Sequence, residues 1–185
     1  MSADPQWLAP AHLTVPAQRL ALRHWLSLRK PGQDMPDAGL VELLDWPAVA
    51  LPHLSLVSGR PGLDRLQLDF IGNMAALFSG ATQGGRYMDE FYPLEQMAMV
   101  TEFFTLSARA RRPVLVHDEF ALPAGPAATV RVERLSLPCQ GLDGEAGLFI
   151  TLHYIKLPDG APPQRVRLIA PGVRLLAREV WQVQV

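Results

Sequence analysis

Positions 16–30, PAQRLALRHWLSLRK, place Leu22, Trp25, Leu26 and Arg29 at helical spacing, with Thr14 and Pro16 as start signals and Pro31-Gly32 as a stop. This predicts an amphipathic N-terminal helix. DAGLVELLDW (37–46) repeats a shorter helical pattern that must end near Trp46, because Pro47 disfavours helix at the residue before it. From Leu51 the period changes. LPHLSLVSG and LDRLQLDFIG resemble two strands of an antiparallel hairpin, and in the second Leu66, Leu68 and Phe70 alternate with Gln67 and Asp69. NMAALFSG (73–80) is short and apolar, enough for one or two helical turns.

PLEQMAMVTEFFTLSARARR (93–112) carries the strongest helical period. Met97, Val100, Phe103, Phe104 and Leu106 form a broad apolar side, with Glu95, Glu102, Thr105 and Arg109 opposite. Pro93 suits the first turn and Pro113 stops the helix, while Arg109, Arg111 and Arg112 favour its negative C-terminal end. That basic cluster is explained without a ligand. PVLVHDEFAL, ATVRVERLSLP and GLFITLHYIKL then predict three strands separated by Pro- and Gly-containing turns. After the loop PDGAPPQ come a short apolar strand candidate, VRLIA, and a final segment, VRLLAREVWQVQV, that fits strand or helix. The order is helices, two strands, a helical block, then three strands.

Composition narrows the function classes. At 185 residues the chain suits one domain with extensions, and 49% hydrophobic against 19% charged residues indicates a folded protein. Seventeen Lys and Arg against eighteen Asp and Glu leave a net charge of -1, so no charge excess points to nucleic acid or an anionic membrane. The N-terminus has no signal-peptide pattern, and no charge-free apolar run reaches the ~18 residues of a spanning helix. The expectation is a soluble, cytoplasmic protein. Cys139 stands alone, which rules out an internal disulfide and a thiolate metal cluster.

GATQGGRY (80–87) has the glycine spacing of a phosphate-binding loop, but Arg86 replaces Lys and Tyr87 replaces Ser/Thr, so the magnesium ligand is missing. Upstream lies a short helical segment, and Pro93 delays the next helix. The stretch reads as a chain-reversing turn whose adjacent glycines permit positive φ and launch Tyr87, Phe91 and Tyr92 toward the core.

Taken together, RHWLSLRKPGQDMPD, LPHLSLVSG, LDRLQLDFIGNMAALFSGATQGGRYMDEF and VRVERLSLPCQGLDG resemble the single-domain PAS proteins of alphaproteobacterial type, over about Leu20 to Ile155. The landmarks are Gly84-Gly85-Arg86 before a small and then a long helix, and Leu137-Pro138 at a strand end. Gly72-Asn73 stands where that family commonly has Gly-Thr, a mild departure. The resemblance implies an α+β PAS fold: a five-stranded antiparallel sheet with helices packed on one face. It divides the chain into an N-terminal helical extension (1–50), a PAS core (51–157) and a C-terminal extension (158–185).

PAS domains often hold a cofactor between sheet and helices. Haem needs an axial ligand such as His, and 94–112 contains none. A photoreactive flavin site needs a helical Asn-Cys-Arg-type segment, whereas Cys139 follows Leu-Pro at a strand end and reads as an ordinary hairpin residue. Neither cofactor is supported, and the cofactor is otherwise unknown. In His117-Asp118-Glu119, strand alternation sends His117 and Glu119 to solvent and Asp118 to the apolar face with Val114, Val116 and Phe120. The three cannot converge on one metal. A carboxylate on that face needs a partner, either Arg134 or Arg131 of the next strand or a ligand. His24, His53 and His153 have no metal partners at ligand spacing, and no catalytic motif appears.

Met97, Val100, Phe103 and Phe104 are first of all core; with Phe70, Val116, Asp118 and Phe120 they are also the candidates for lining a ligand pocket. The expected function is a non-enzymatic sensory or regulatory module that binds a small molecule or a signalling protein. Its output would pass through association, as a homodimer or with another protein, because the chain carries no kinase, cyclase or DNA-binding region. Leu22, Trp25 and Leu26 are the dimer-contact candidates, on the helix that resembles the flanking helix through which PAS domains pair; the same stripe can equally pack on its own sheet. The alternative is a small enzyme on a cone-shaped α+β fold with Asp118 or His153 as general acid or base. Placement separates the two readings, since the strongest helix lies between strands and not ahead of them.

Overall fold

Every long strand of the sequence pattern enters one sheet. The computed structural model describes residues 6–80, 84–123, 129–157 and 167–185. Its strands are β1 (Gln6–Leu8), β2 (Leu54–Gly59), β3 (Leu66–Ile71), β4 (Arg86–Tyr87), β5 (Val114–Ala121), β6 (Thr129–Gln140), β7 (Ala146–Lys156) and β8 (Arg174–Val183). They are ordered β1-β8-β5-β6-β7-β2-β3-β4. All neighbours are antiparallel except β1 and β8, where Gln6 lies opposite Trp181 in a parallel pair. The α+β class is as expected, but the sheet has eight strands where five were expected. Residues 6–8 and 174–183 of the two extensions supply β1 and β8.

Three α-helices cover this sheet: α1 (Pro16–Leu28), α2 (Asn73–Ser79) and α3 (Leu94–Ala110). α2 and α3 share one face, and α1 of the N-terminal extension covers the other. On one side α3 sets Phe103 against the Arg134 guanidinium and Ser107 Oγ 2.8 Å from Ser136 Oγ. On the other, Trp25 of α1 donates its indole N–H to the Pro138 carbonyl at 2.9 Å. Double coverage explains why β6 is buried almost continuously from Val130 to Cys139 instead of in alternation. No helix among the described residues is long and apolar enough to cross a membrane.

Leu22 and Trp25 are 2% and 0% exposed within the chain's own core. Of the two uses expected for this apolar stripe, packing within the chain accounts for Leu22 and Trp25, and Leu26 beside them is half-buried. Val15, not Thr14, occupies the helix N-cap, and Pro16 takes the first turn without a side-chain cap.

The second predicted helix, 37–46, forms two isolated 3-10 turns, Ala38–Leu40 and Leu43–Asp45. Gly39 and the stop at Pro47 leave too little chain for a stable helix, and the Gln140 N–H fastens the segment to β6 by donating to the Pro36 carbonyl at 2.9 Å. The final segment is strand, β8, while 167–170 is irregular where VRLIA predicted a strand. The loop 158–164, Val166 and the middle of the glycine turn, 81–83, lie outside the described residues. Downstream of that turn Gly85 has φ +80° and leads into the short strand β4, not into a helix, in keeping with a turn and not a phosphate loop. Gly72 is dictated by a close approach: a Cβ there would meet the Leu51 carbonyl oxygen at 2.1 Å, within backbone that cannot yield.

The arginines that end α3 find partners within the chain. Arg111 lies 3.6 Å from Asp34 and 3.5 Å from Glu145, and Arg112 sits over the Trp7 ring.

Candidate functional site

Between the sheet and the α2–α3 layer lies a cavity of about 60 Å³. Phe78 of α2, Val100, Phe103 and Phe104 of α3 and Phe120 of β5 supply its apolar walls. Polar groups reach it from the floor: Arg134 of β6, His153 of β7 and Ser55 of β2, with Tyr92 from the turn before α3. A strap, Leu168–Ala170, closes one side. Gln96 of α3 donates to the carbonyls of Leu168 and Ala170 at 3.2 and 3.0 Å, and the Leu168 N–H donates to the Phe78 carbonyl at 2.9 Å.

Of the expected lining residues, Val100, Phe103, Phe104 and Phe120 meet here. Phe70, Met97, Val116 and Asp118 do not line the cavity. Val116 is fully buried in the adjoining core, and Phe70 and Met97 pack half-buried against it. Asp118 stands one residue behind the wall, 1% exposed, and acts through its partners. It ion-pairs with Arg134 and receives a bidentate pair from Arg178 of β8, Nε to Oδ1 at 2.7 Å and Nη2 to Oδ2 at 3.2 Å. Arg178 in turn donates from Nη1 to Glu102 of α3 at 2.8 Å. The expected partner Arg134 is present; Arg131 is exposed and lies opposite Glu119 in the β5–β6 register.

Register explains how these groups assemble. Asp118 lies opposite Arg178 on β8 and Val132 on β6, and Arg134 lies opposite His153 on β7. Alternation therefore aligns residues of four adjacent strands, β8, β5, β6 and β7, on the helix-facing side. Arg134 is held between the Phe103 and Phe120 rings, with its charge centre 4.8 and 5.9 Å from their centroids. Burial, together with the positive charge of Arg178, lowers the Arg134 guanidinium to about 10, which still leaves it charged at neutral pH.

His117 is not simply exposed to water. It sits edge-on to Trp181 at 4.7 Å, with Nε2 3.1 Å from Glu133, on the sheet face away from Asp118, and Glu119 is half-buried. Among the described residues no three His, Cys, Asp or Glu side chains are grouped to hold a metal ion. Cys139 is buried, and burial pushes its thiol up to about 12, so it is an inert core residue.

His153 Nε2 and Ser55 Oγ share a hydrogen bond of 2.8 Å, and His53 Nδ1 donates to the His153 carbonyl at 3.1 Å. Burial first, then the charge of Arg134 and the nearby His53, pushes His153 down to about 3. Because an unfolded His titrates near ~6.5, the unfolded chain takes up the proton first as pH falls. The stability that His153 contributes is thus fully present above about pH 6.5 and is lost below it. Lowering the pH from 7.5 to 5.5 is expected to cost the wild type about 1.4 kcal/mol more than His153→Gln, read from urea midpoints. Equal losses would show that His153 titrates normally in the folded state.

No family model matches this chain, and neither curated proteins nor solved structures provide a match to it.

Proposed function

We propose that the chain is a PAS-type regulatory module that takes a small molecule between its sheet and its α2–α3 layer. The observation that carries this reading is the cavity, whose apolar walls over a few converging polar groups have the make-up of a small-molecule site at a volume, about 60 Å³, that suits only a ligand of a few heavy atoms. The topology supports it as well. Within the larger sheet, β3-β2-β7-β6-β5 is an unbroken antiparallel run of five strands, and α2 and α3 fall between β3 and β5 in the chain.

The Ser55–His153 hydrogen bond favours a second reading, a hydrolase in which His153 activates Ser55. Its electrostatics oppose that role. The imidazolium formed on taking the serine proton would be buried beside the Arg134 charge, which is the reason His153 is held near 3. A binding role requires no such charge.

Native mass spectrometry with an absorption spectrum of freshly purified protein tests the proposal. The expected result is mass in excess of the 20.4 kDa chain, lost when Ala75→Phe fills the cavity from α2. A mass of polypeptide alone, together with no saturable binding from a library of small fragments, would rule out the ligand-binding reading.

A further inference from the structure

Resting on that reading, we infer that the cavity's ligand is a small monoanion, a carboxylate with a compact apolar body whose charged end meets Arg134. The balance of buried charge carries the inference. Two guanidiniums, Arg134 and Arg178, share one buried carboxylate, Asp118. The fourth member, Glu102, has a side chain 60% exposed at the rim, where water screens it. Asp118 engages Arg178 through both oxygens, and Arg134 reaches it only through Nη2.

Arg134 Nε therefore remains buried without a hydrogen-bond partner, in a side chain only 10% exposed that lines the cavity. An unsatisfied charged donor in such a place is costly, and a carboxylate oxygen would relieve it. The other polar groups at the floor do not compete for that role: His153 is neutral and bonded to Ser55, and Tyr92, its ionisation raised by burial, is neutral too. A cation would face the excess positive charge, and a neutral ligand would leave it uncompensated. The rest of the wall, Phe78, Val100, Phe104 and Phe120, selects an apolar body.

Acetate, acetamide and ethanol form a set of probes that differ chiefly in charge and suit a cavity of about 60 Å³. Binding to the full chain is followed by calorimetry and by the Arg134 Nε–H resonance, assigned by comparison with Arg134→Gln. Acetate is expected to bind roughly tenfold or more tighter than either neutral probe and to shift that resonance. Arg134→Gln should abolish the preference; if that variant does not fold, the wild-type resonance still reports the contact, with the signal assigned by Cγ-selective labelling of arginine and Phe103→Leu. Equal binding of all three probes without a shift at Nε would overturn the anion inference while leaving the cavity reading standing. A shift produced equally by chloride would mark an adventitious ion only, and binding by none of the probes would also overturn the inference. The cavity reading itself is decided separately, by the mass of the purified protein.

Discussion

Asp118→Ala is expected to lower stability by roughly 3–5 kcal/mol, the cost of stripping the partner from a buried charge. The substitution leaves Arg134 and Arg178 buried with no buried counter-charge, each already pushed below the usual arginine value by burial. For a chain of this length the loss corresponds to a fall in Tm of roughly 6–20 °C. Replacing all three groups together, Asp118→Leu with Arg134→Met and Arg178→Met, is expected to restore stability to near the wild-type level, since apolar groups of similar size often match a buried ion network. Calorimetric melting of the two variants checks both statements. A single-variant loss below about 1 kcal/mol would mean that water reaches the network and that its charges are not confined as described.

Trp25→Ala is expected to cost about 3–5 kcal/mol, because it empties the space of a fully buried indole between α1 and β6. Trp25→Phe separates packing from polarity. It keeps most of the apolar volume but leaves the Pro138 carbonyl without its donor, a loss of about 1–3 kcal/mol. Denaturant titration gives the stability, and light scattering in parallel gives the particle mass. If Trp25→Ala halved the mass while leaving stability unchanged, Trp25 would be a contact between copies after all, and its packing within the chain would be wrong.

Much of this architecture was legible from local pattern. The periods of α1 and α3 and the alternation in β3 and β5 gave those elements to within a few residues, and the parity of 114, 116, 118 and 120 placed Asp118 on the apolar face of the sheet with a need for a partner, an arginine of the next strand or a ligand. What escaped depends on pairing between distant segments. Arg178 and Glu102 join Asp118 only once β8 lies beside β5 and α3 crosses above, and no periodicity in VRLLAREVWQVQV announces that neighbour. Arg134 and His153 share the cavity through the β5–β6 and β6–β7 registers, which a single strand's pattern does not contain. The signal that existed was parity: with Asp118 opposite Val132, Arg134 two residues on must face the same side. Met97 and Phe70 were expected at the pocket because they are apolar and on the right elements, but where the cavity lies along those elements is a matter of tertiary packing.

Because Arg178 follows Asp118 by 60 residues, the network bears on the order of events during synthesis. At ~5–20 residues per second, the ribosome adds the arginine about 3–12 s after the aspartate. β6, with Arg134, and β7 are themselves completed within that interval, and only β8 then supplies the second guanidinium that the Asp118 carboxylate pairs with. β8 thereby ties the sheet to the helix above it, because Arg178 holds Asp118 of β5 and Glu102 of α3 at once, and a chain cut before β8 would lose both links in one step.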